Sequence, residues 1–333
     1  MSASVLGLDI GGANLKVAHL NGQARSQPFE LWKNPAGLSD ALAWLLREIP
    51  AHDLLAVTMT GELCDCFETK RQGVTAILDA VQRAAGNVGV RVWNNQGQFA
   101  DLDAAKTDPL PFAAANWLAL ATFAGRFATH GPALLLDIGS TTSDIIPLLD
   151  GRPIPHGRTD PERLRSHELV YTGVRRTPVC AVLGGFGAAE FFATTLDVYL
   201  TLGQIPEDPT DQNTADGRPA TRSFAHARLA RMLCADTETA TTEETRKLAE
   251  RVLLRQVYAL GFALGQVAKA LPSQPQTVLV SGAGEFLARL AIENQTAFPQ
   301  CRLLDLSSLL GIRVSESACA YAVAMLAAEE SAR

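Results

Sequence analysis

Residues 6–20 read LGLDIGGANLKVAHL, and residues 134–148 read LLLDIGSTTSDIIPL. The two stretches align without a gap at an offset of 128 residues. Each has the pattern of a strand, a tight glycine turn and a second strand. Each is followed by a further turn signal, Asn21-Gly22 or Asp150-Gly151, of the type that closes a hairpin. A duplicated hairpin predicts two similar lobes, each beginning with one copy.

Helix and strand patterns alternate along the rest of the chain. Apolar residues recur at helical spacing over 38–49, and residues 51–60 form a strand pattern that enters a glycine turn. This alternation predicts an α/β fold. We expect a first lobe over residues 1–131 and a second lobe over 132–333, with a helical insertion around 186–245.

The second lobe contains a polar segment at 205–221 that is rich in Asp and Pro. We interpret it as a surface loop, with a mobile lid as the alternative. The spacing of apolar residues predicts a long helix over 243–271 and a C-terminal helix over 316–328. Between them, residues 277–281 have the pattern of a buried strand.

Composition excludes several classes of function. The chain has 29 Lys and Arg against 35 Asp and Glu and no basic cluster, which argues against nucleic acid as a partner. No signal peptide pattern opens the chain, and no apolar stretch reaches the roughly 18 residues of a membrane span. We therefore expect a cytoplasmic protein with no membrane partner. The six cysteines and six histidines lack the spacing of a metal site.

The glycine turns of the two hairpins have the chemistry of phosphate-binding loops. Glycine lets backbone N–H groups approach an anion closely, and amide, ammonium and hydroxyl groups beside it add donors. The predicted phosphate-binding residues are Gly11, Gly12, Asn14 and Lys16 in the first copy, and Gly139, Ser140, Thr141 and Thr142 in the second.

The carboxylates of the hairpins need a different role, because a carboxylate repels a phosphate. Asp9, Asp137 and Asp144 are candidates to hold a hydrated Mg²⁺ or to orient a water molecule. Taken singly, each hairpin could also be an ordinary turn with a capped Asp. The duplication, together with a later glycine turn at 282–284, favours phosphate binding.

These motifs together resemble the actin, sugar kinase and Hsp70 superfamily. In that superfamily two phosphate loops are followed by a glycine turn that contacts adenosine, which corresponds here to Gly282, Gly284 and Glu285. The resemblance implies a two-lobed, actin-like ATPase (ribonuclease H-like) fold. It leaves the reaction open, because the superfamily contains kinases, ATPases and filament proteins.

The second loop, DIGSTTSD at 137–144, resembles that of the hydantoinase A/oxoprolinase group. Further blocks resemble the branch of this group linked to tetrahydromethanopterin-dependent one-carbon transfer, which includes an archaeal methanofuran-biosynthesis enzyme. The blocks are 58–66 with Lys70, 115–117, 157–160 with Arg163 and Leu164, 168–173 through 176–178, and 214–220. They span nearly the whole chain.

The resemblance implies a transferase that uses Mg²⁺. It would join an aminomethyl-furanmethanol diphosphate to the phenol oxygen of a glutamylated tyramine or tyrosine, releasing diphosphate. Glu62 or Asp65 would accept the phenol proton, because both follow a strand end where α/β proteins place their sites. The remaining candidates for substrate binding are Lys70, Tyr171, Thr172, Arg175 and Arg176, although Lys70 could be a surface residue and Tyr171 a packing residue.

Two alternatives remain open at this point. The first is an ATP-dependent kinase or ATPase of the hydantoinase/oxoprolinase type, for which ATP is the partner. The second is a nucleotide-binding assembly protein of the actin type. Association into a homo-oligomer is compatible with each of these functions.

Overall fold

The computed structural model describes residues 4–295, 298 and 301–332, in which twelve strands form two sheets. The strands of the first sheet are β1 (Val5–Ile10), β2 (Asn14–His19), β3 (Ala24–Pro28), β4 (Leu54–Met59), β5 (Gly89–Trp93) and β6 (Phe99–Asp101). Those of the second are β7 (Pro132–Ile138), β8 (Ser143–Leu149), β9 (Arg152–Pro153), β10 (Leu169–Val170), β11 (Thr277–Ser281) and β12 (Arg302–Asp305).

The two sheets repeat one topology. The first has the order β3-β2-β1-β4-β5-β6, and the second has the order β10-β8-β7-β11-β12, with β9 on β8. In each, a hairpin (β1–β2 or β7–β8) is extended by parallel strands. The registers also agree, since Asp9 faces Lys16 and Asp137 faces Asp144. The duplicated hairpins predicted from the repeat are therefore present.

Thirteen α-helices connect and cover the strands in the described ranges. They are α1 (Leu38–Arg47), α2 (Lys70–Ala85), α3 (Leu102–Thr107), α4 (Asn116–Ala124), α5 (Asp160–Arg165), α6 (Val179–Leu183), α7 (Thr195–Thr201), α8 (Arg222–Met232), α9 (Thr242–Ala268), α10 (Glu285–Glu293), α11 (Leu306–Leu310), α12 (Ile312–Glu316) and α13 (Ala318–Ser331). The long helix and the C-terminal helix predicted from apolar spacing correspond to α9 and α13.

Helices α4 and α13 lie in the core shared by the two sheets. Their sequences, NWLALATFA and ACAYAVAMLAAEES, are apolar on almost every side, as expected for helices that are covered all round. Helix α13 packs on β1, β2, β4 and α4, while α4 also packs on β8 and β9. The C-terminal helix thus returns to the first sheet. The lobe boundary at 131/132 stays a prediction.

The 205–221 segment is anchored at several points. Asp208 and Ala220 pair across it, and the buried Arg228 donates to Asp197 at 2.8 Å and to Asp216 at 3.0 Å. These bonds favour the surface-loop interpretation over a mobile lid.

Among the described helices, none is both long and apolar enough to cross a membrane.

The packing of α13 on β1 gives a direct stability test at Gly7. A Cβ atom at this position would lie 1.8 Å from the carbonyl oxygen of Ala320, so a side chain requires the helix to move. We expect Gly7→Ala to lower the free energy of unfolding by roughly 2–4 kcal/mol in urea denaturation.

The matched control is Gly89→Ala on β5, where the added Cβ would meet Leu54 Cδ1 at 3.5 Å, an ordinary contact. This variant should differ from the natural protein by less than about 1 kcal/mol. Equal stability of the two variants would contradict the close packing of α13 on β1.

Candidate functional site

The two glycine turns have the same internal geometry. The Gly11 N–H donates to the Asn14 carbonyl at 3.0 Å, and the Gly139 N–H donates to the Thr142 carbonyl at 2.9 Å. Each bond closes the tip of a hairpin, so the two loops present their remaining backbone groups in the same way.

Neighbouring segments bind the carbonyl groups of the first loop. The N–H groups of Thr60 and Gly61 both donate to the Ile10 carbonyl, at 2.9 and 3.0 Å. The Leu31 N–H donates to the Gly12 carbonyl at 2.9 Å. These acceptors are therefore occupied and directed away from a ligand.

The second loop is supported in the same manner by the 174–176 segment and the 282–284 turn. The bonds are Gly284 N–H to Ile138 O at 2.9 Å, Val174 N–H to Gly139 O at 3.1 Å, Arg175 N–H to Ser140 O at 3.0 Å, and Arg176 N–H to Ser140 O at 2.9 Å. Gly173 makes this contact possible, because a Cβ there would lie 2.6 Å from the Gly139 carbonyl oxygen.

The outward-facing N–H groups of both loops lack an acceptor in the described part of the chain. They belong to Gly12, Ala13, Ser140, Thr141 and Thr142. Successive amides that point into one concavity form an anion-binding site. The loops therefore present to a ligand the donors that a phosphate group requires.

Both loops line one cavity of about 440 Å³ between the sheets. The lining residues that the sequence predicted are Asp9, Gly11, Gly12, Asn14, Lys16, Asp65, Asp137, Gly139, Ser140, Thr141, Thr142, Asp144, Tyr171 and Arg176. Those not predicted are Ala13, Trp32, Thr60, Leu63, Cys64, Asn116 and Cys319.

Asp9 and Asp137 form the charged part of the cavity floor. Burial raises the pKa of Asp9, which is 5% exposed, while Lys16 and Asn116 oppose that rise. Burial and the nearby Asp144 raise the pKa of Asp137 to about 6, although Lys16 lowers it. The two carboxylates are thus held in a site that disfavours their negative charge.

Asp144 differs from them in having its own counter-ion. The buried Arg163 guanidinium donates to Asp144 Oδ1 at 2.8 Å and to the Glu168 carbonyl at 3.0 Å. The same guanidinium lies 3.9 Å from the ring centroid of Trp117. Burial raises the pKa of Asp144, and Arg163 opposes this effect.

The floor fits a magnesium ion that also binds a ligand phosphate. Asp9 Oδ1 is buried and has no hydrogen-bond partner among the residues that the structure describes, so it is available to a cation. No cluster of three His, Cys, Asp or Glu side chains within the described ranges could hold a metal alone. Mg²⁺ commonly uses one or two carboxylates and completes its shell with phosphate oxygens and water.

A family model described as Hydantoinase/oxoprolinase matches residues 53–330. The chain belongs to the hydantoinase/oxoprolinase family. Two archaeal relatives bear one name, (4-{4-[2-(gamma-L-glutamylamino)ethyl]phenoxymethyl}furan-2-yl)methanamine synthase. The protein from Methanocaldococcus jannaschii is 32% identical, covering 98% of both chains. The protein from Methanococcus vannielii is 28% identical, covering 59% of this chain and 91% of that one.

Solved structures support the fold of this family member. A nucleotide-free acetone carboxylase shares 9% identity and a TM-score of 0.57, covering 97% of this chain and 70% of that chain. Such a likeness concerns the fold alone. The predicted α/β fold with a duplicated hairpin is confirmed by the two sheets of shared topology.

In this hydantoinase/oxoprolinase family member, Glu62 and Lys70 lie outside the cavity lining. The Glu62 side chain is 1% exposed, and burial raises its pKa to about 7. Lys70 Nζ lies 3.9 Å from Glu62 and donates to Asp160 Oδ2 at 2.8 Å. Lys70 therefore links α2 to α5 and is already paired.

Thr172 and Arg175 also have partners away from the cavity. The Gln256 amide donates to Thr172 Oγ1 at 2.7 Å, and the Tyr199 hydroxyl donates to Gln256 Oε1 at 2.6 Å. Arg175 is paired with Asp211 of the 205–221 segment. The structure thus separates Arg175 from Arg176, although the two are neighbours in sequence.

The 282–284 turn packs behind the second loop. Gly282 has φ +88°, and a Cβ there would lie 2.7 Å from Asp137 Oδ1. Glu285 accepts from the Ser307 N–H at 3.2 Å and from its hydroxyl at 2.6 Å. None of Gly282, Gly284 and Glu285 lines the cavity. Their predicted contact with adenosine stays a prediction.

The raised pKa of Asp137 predicts a pH-dependent effect on stability. Its usual value is 3.8 and its folded value is about 6, so the folded state favours the protonated form. The stability from this preference is complete below about pH 4 and is lost as the pH rises to about 6. At pH 8 and without metal, Asp137→Asn should raise the free energy of unfolding by roughly 1–3 kcal/mol.

Urea denaturation in EDTA at pH 8 and pH 4 measures this effect, with the acid measurement as the internal control. The difference between variant and natural protein should nearly vanish at pH 4. A variant that is less stable than the natural protein at pH 8 would contradict an unfavourable buried charge at this position.

Proposed function

We propose that this protein is a transferase that joins a furan-methyl diphosphate to a phenolic acceptor, because the compound in the name of its two archaeal relatives is a phenoxymethyl-furan ether. The whole-length similarity to the Methanocaldococcus jannaschii synthase carries the proposal. The geometry supports it, because one cavity contains two sets of phosphate donors and an aromatic mouth.

The proposed reaction is a substitution at the methylene carbon of the furan. The bond from this carbon to the diphosphate oxygen breaks, and its electron pair leaves with the diphosphate. The phenol oxygen forms a new bond to the same carbon and loses its proton to a base. The products are an aryl ether, diphosphate and a proton.

The two loops and Lys16 would bind the leaving diphosphate. The N–H groups of Gly12, Ala13, Ser140, Thr141 and Thr142 would donate to its oxygens, and this stabilises the charge that develops as it departs. Asp9 and Asp137 would hold Mg²⁺, which neutralises phosphate charge when bound.

The acceptor would enter through the mouth of the cavity, where Leu63 and Tyr171 are 59% and 65% exposed. Large apolar side chains at this exposure suit a flat aromatic ligand. Asp65 lines the same cavity and would take the phenol proton. Glu62 is the weaker candidate, because its side chain is buried beside Lys70.

The ATP-dependent alternative lacks a comparable observation. Its adenosine would contact the 282–284 turn, which packs against Ile138 and lies outside the lining.

The deciding experiment incubates the enzyme and Mg²⁺ with the furan diphosphate and γ-glutamyltyramine, and in parallel with ATP and the same acceptor. Mass spectrometry and ³¹P NMR then identify the products.

The proposal predicts an ether and diphosphate in the first reaction and no ADP in the second. ADP without ether, or no turnover in either reaction, would overturn it.

Asp9→Asn and Asp137→Asn should each reduce kcat by roughly 10²-fold or more, because each removes a charge that would hold the cation. Circular dichroism checks that both variants remain folded.

Asp65→Asn tests the proposed base. Removal of a general base should lower kcat by roughly 10²–10⁴-fold while leaving diphosphate binding nearly unchanged. Glu62→Gln is the matched control and should retain most activity. A larger loss in Glu62→Gln than in Asp65→Asn would transfer the role to Glu62.

A further inference from the structure

Trp32 and Arg176 form a contact that joins the two phosphate loops. The Arg176 guanidinium carbon lies 4.4 Å from the centroid of the Trp32 ring. Both residues line the cavity. Neither belongs to a hairpin of the repeat, and they come from opposite sides of the cavity.

Each residue is tied to its own loop by the backbone. Arg176 donates its N–H to the Ser140 carbonyl at 2.9 Å, so it is fixed to the second loop. Trp32 follows Leu31, whose N–H donates to the Gly12 carbonyl at 2.9 Å in the first loop. The contact of the guanidinium with the indole therefore connects the segments that support the two loops.

The charge of Arg176 is available to a ligand. No carboxylate in the described part of the chain lies within ion-pair distance of it, whereas Arg175 is paired with Asp211. Burial raises the pKa of the Cys64 thiol to about 11, and the nearby Arg176 charge opposes that rise. The Cys64 sulfur adjoins Gly12 of the first loop, so Arg176 also lies near that loop. A guanidinium stacked on indole keeps its N–H edge free for phosphate oxygens.

Lys16 and Arg176 serve different parts of the cavity. Lys16 lies on β2 opposite Asp9 and acts on the floor carboxylates. Arg176 instead lies against Trp32 and close to Cys64, and these residues line the same cavity as the exposed Tyr171. A single phosphate on the floor would be served by Lys16 and the metal, whereas a second phosphate would extend toward Arg176.

We propose that Arg176, held in place by Trp32, makes the site selective for a diphosphate over a monophosphate. Arg176 binds the outer phosphate group, and Trp32 is a positioning residue that orients the guanidinium. The inference deepens the proposed function by assigning how the leaving group is recognised. It concerns anion binding, which can be measured without turnover.

Isothermal titration calorimetry of the full chain with Mg²⁺ tests this, using inorganic diphosphate and inorganic phosphate as probes. The natural protein should bind diphosphate more tightly than phosphate. Arg176→Met should weaken diphosphate binding roughly 10- to 100-fold and phosphate binding much less. The diphosphate affinity of Arg176→Lys should lie between those of the natural protein and Arg176→Met, because lysine keeps the charge and loses the planar guanidinium.

The neighbour Arg175 provides the matched control, since Arg175→Met removes a guanidinium that points away from the cavity. It should leave the preference for diphosphate unchanged. Trp32→Leu should reduce that preference by about 3- to 10-fold, and Trp32→Phe should restore most of it, because Phe retains an aromatic face. A merely structural role for Trp32 would affect both anions equally.

An unchanged preference in Arg176→Met, or an equal loss for both anions, would overturn the inference. So would equal effects of Arg175→Met and Arg176→Met, or a natural protein that does not prefer diphosphate. Ether formation by the natural enzyme is a separate measurement. Diphosphate selectivity that depends on Arg176, without ether formation, would overturn the proposed function and leave this inference in place.

Discussion

Helix α13 lies so close to strand β1 that residue 7 has no space for a side chain. This contact connects the C-terminal part of the chain to the first sheet, and α4 completes the shared core from the other side. As a consequence, the ends of β1 and β7 meet at one cavity with Asp9 and Asp137 on its floor. The proposed binding of phosphate, metal and acceptor depends on this arrangement.

The hairpins could be predicted because their information is local. Each hairpin consists of consecutive residues that form a strand, a glycine turn and a second strand. The repeat provides an independent second copy of this pattern. The strand register then placed Lys16 beside Asp9 and Asp144 beside Asp137. Fold class and loop residues therefore followed from sequence. The packing of α13 on the first sheet could not be predicted, because an apolar composition shows that a helix is buried but does not show which element it packs against.

The parts of the site that depend on tertiary contacts were not predictable. Asn116 reaches Asp9 and Arg163 reaches Asp144 from helices that are distant in sequence, and Trp32 contacts Arg176 across the cavity. The adjacent Arg175 and Arg176 looked equivalent, yet only Arg176 lines the cavity. Such differences arise from side-chain direction, which no short motif encodes.

In the proposed reaction the two loops bind the group that leaves. This role of the loops is tested most directly with a furan-methyl diphosphate that carries ¹⁸O at the oxygen joining carbon to phosphorus. If the phenol oxygen attacks carbon, all of the label leaves with diphosphate and the ether contains none, as mass spectrometry would show. Label that remains on the furan-methyl product would mean cleavage between phosphorus and oxygen, and would contradict the account.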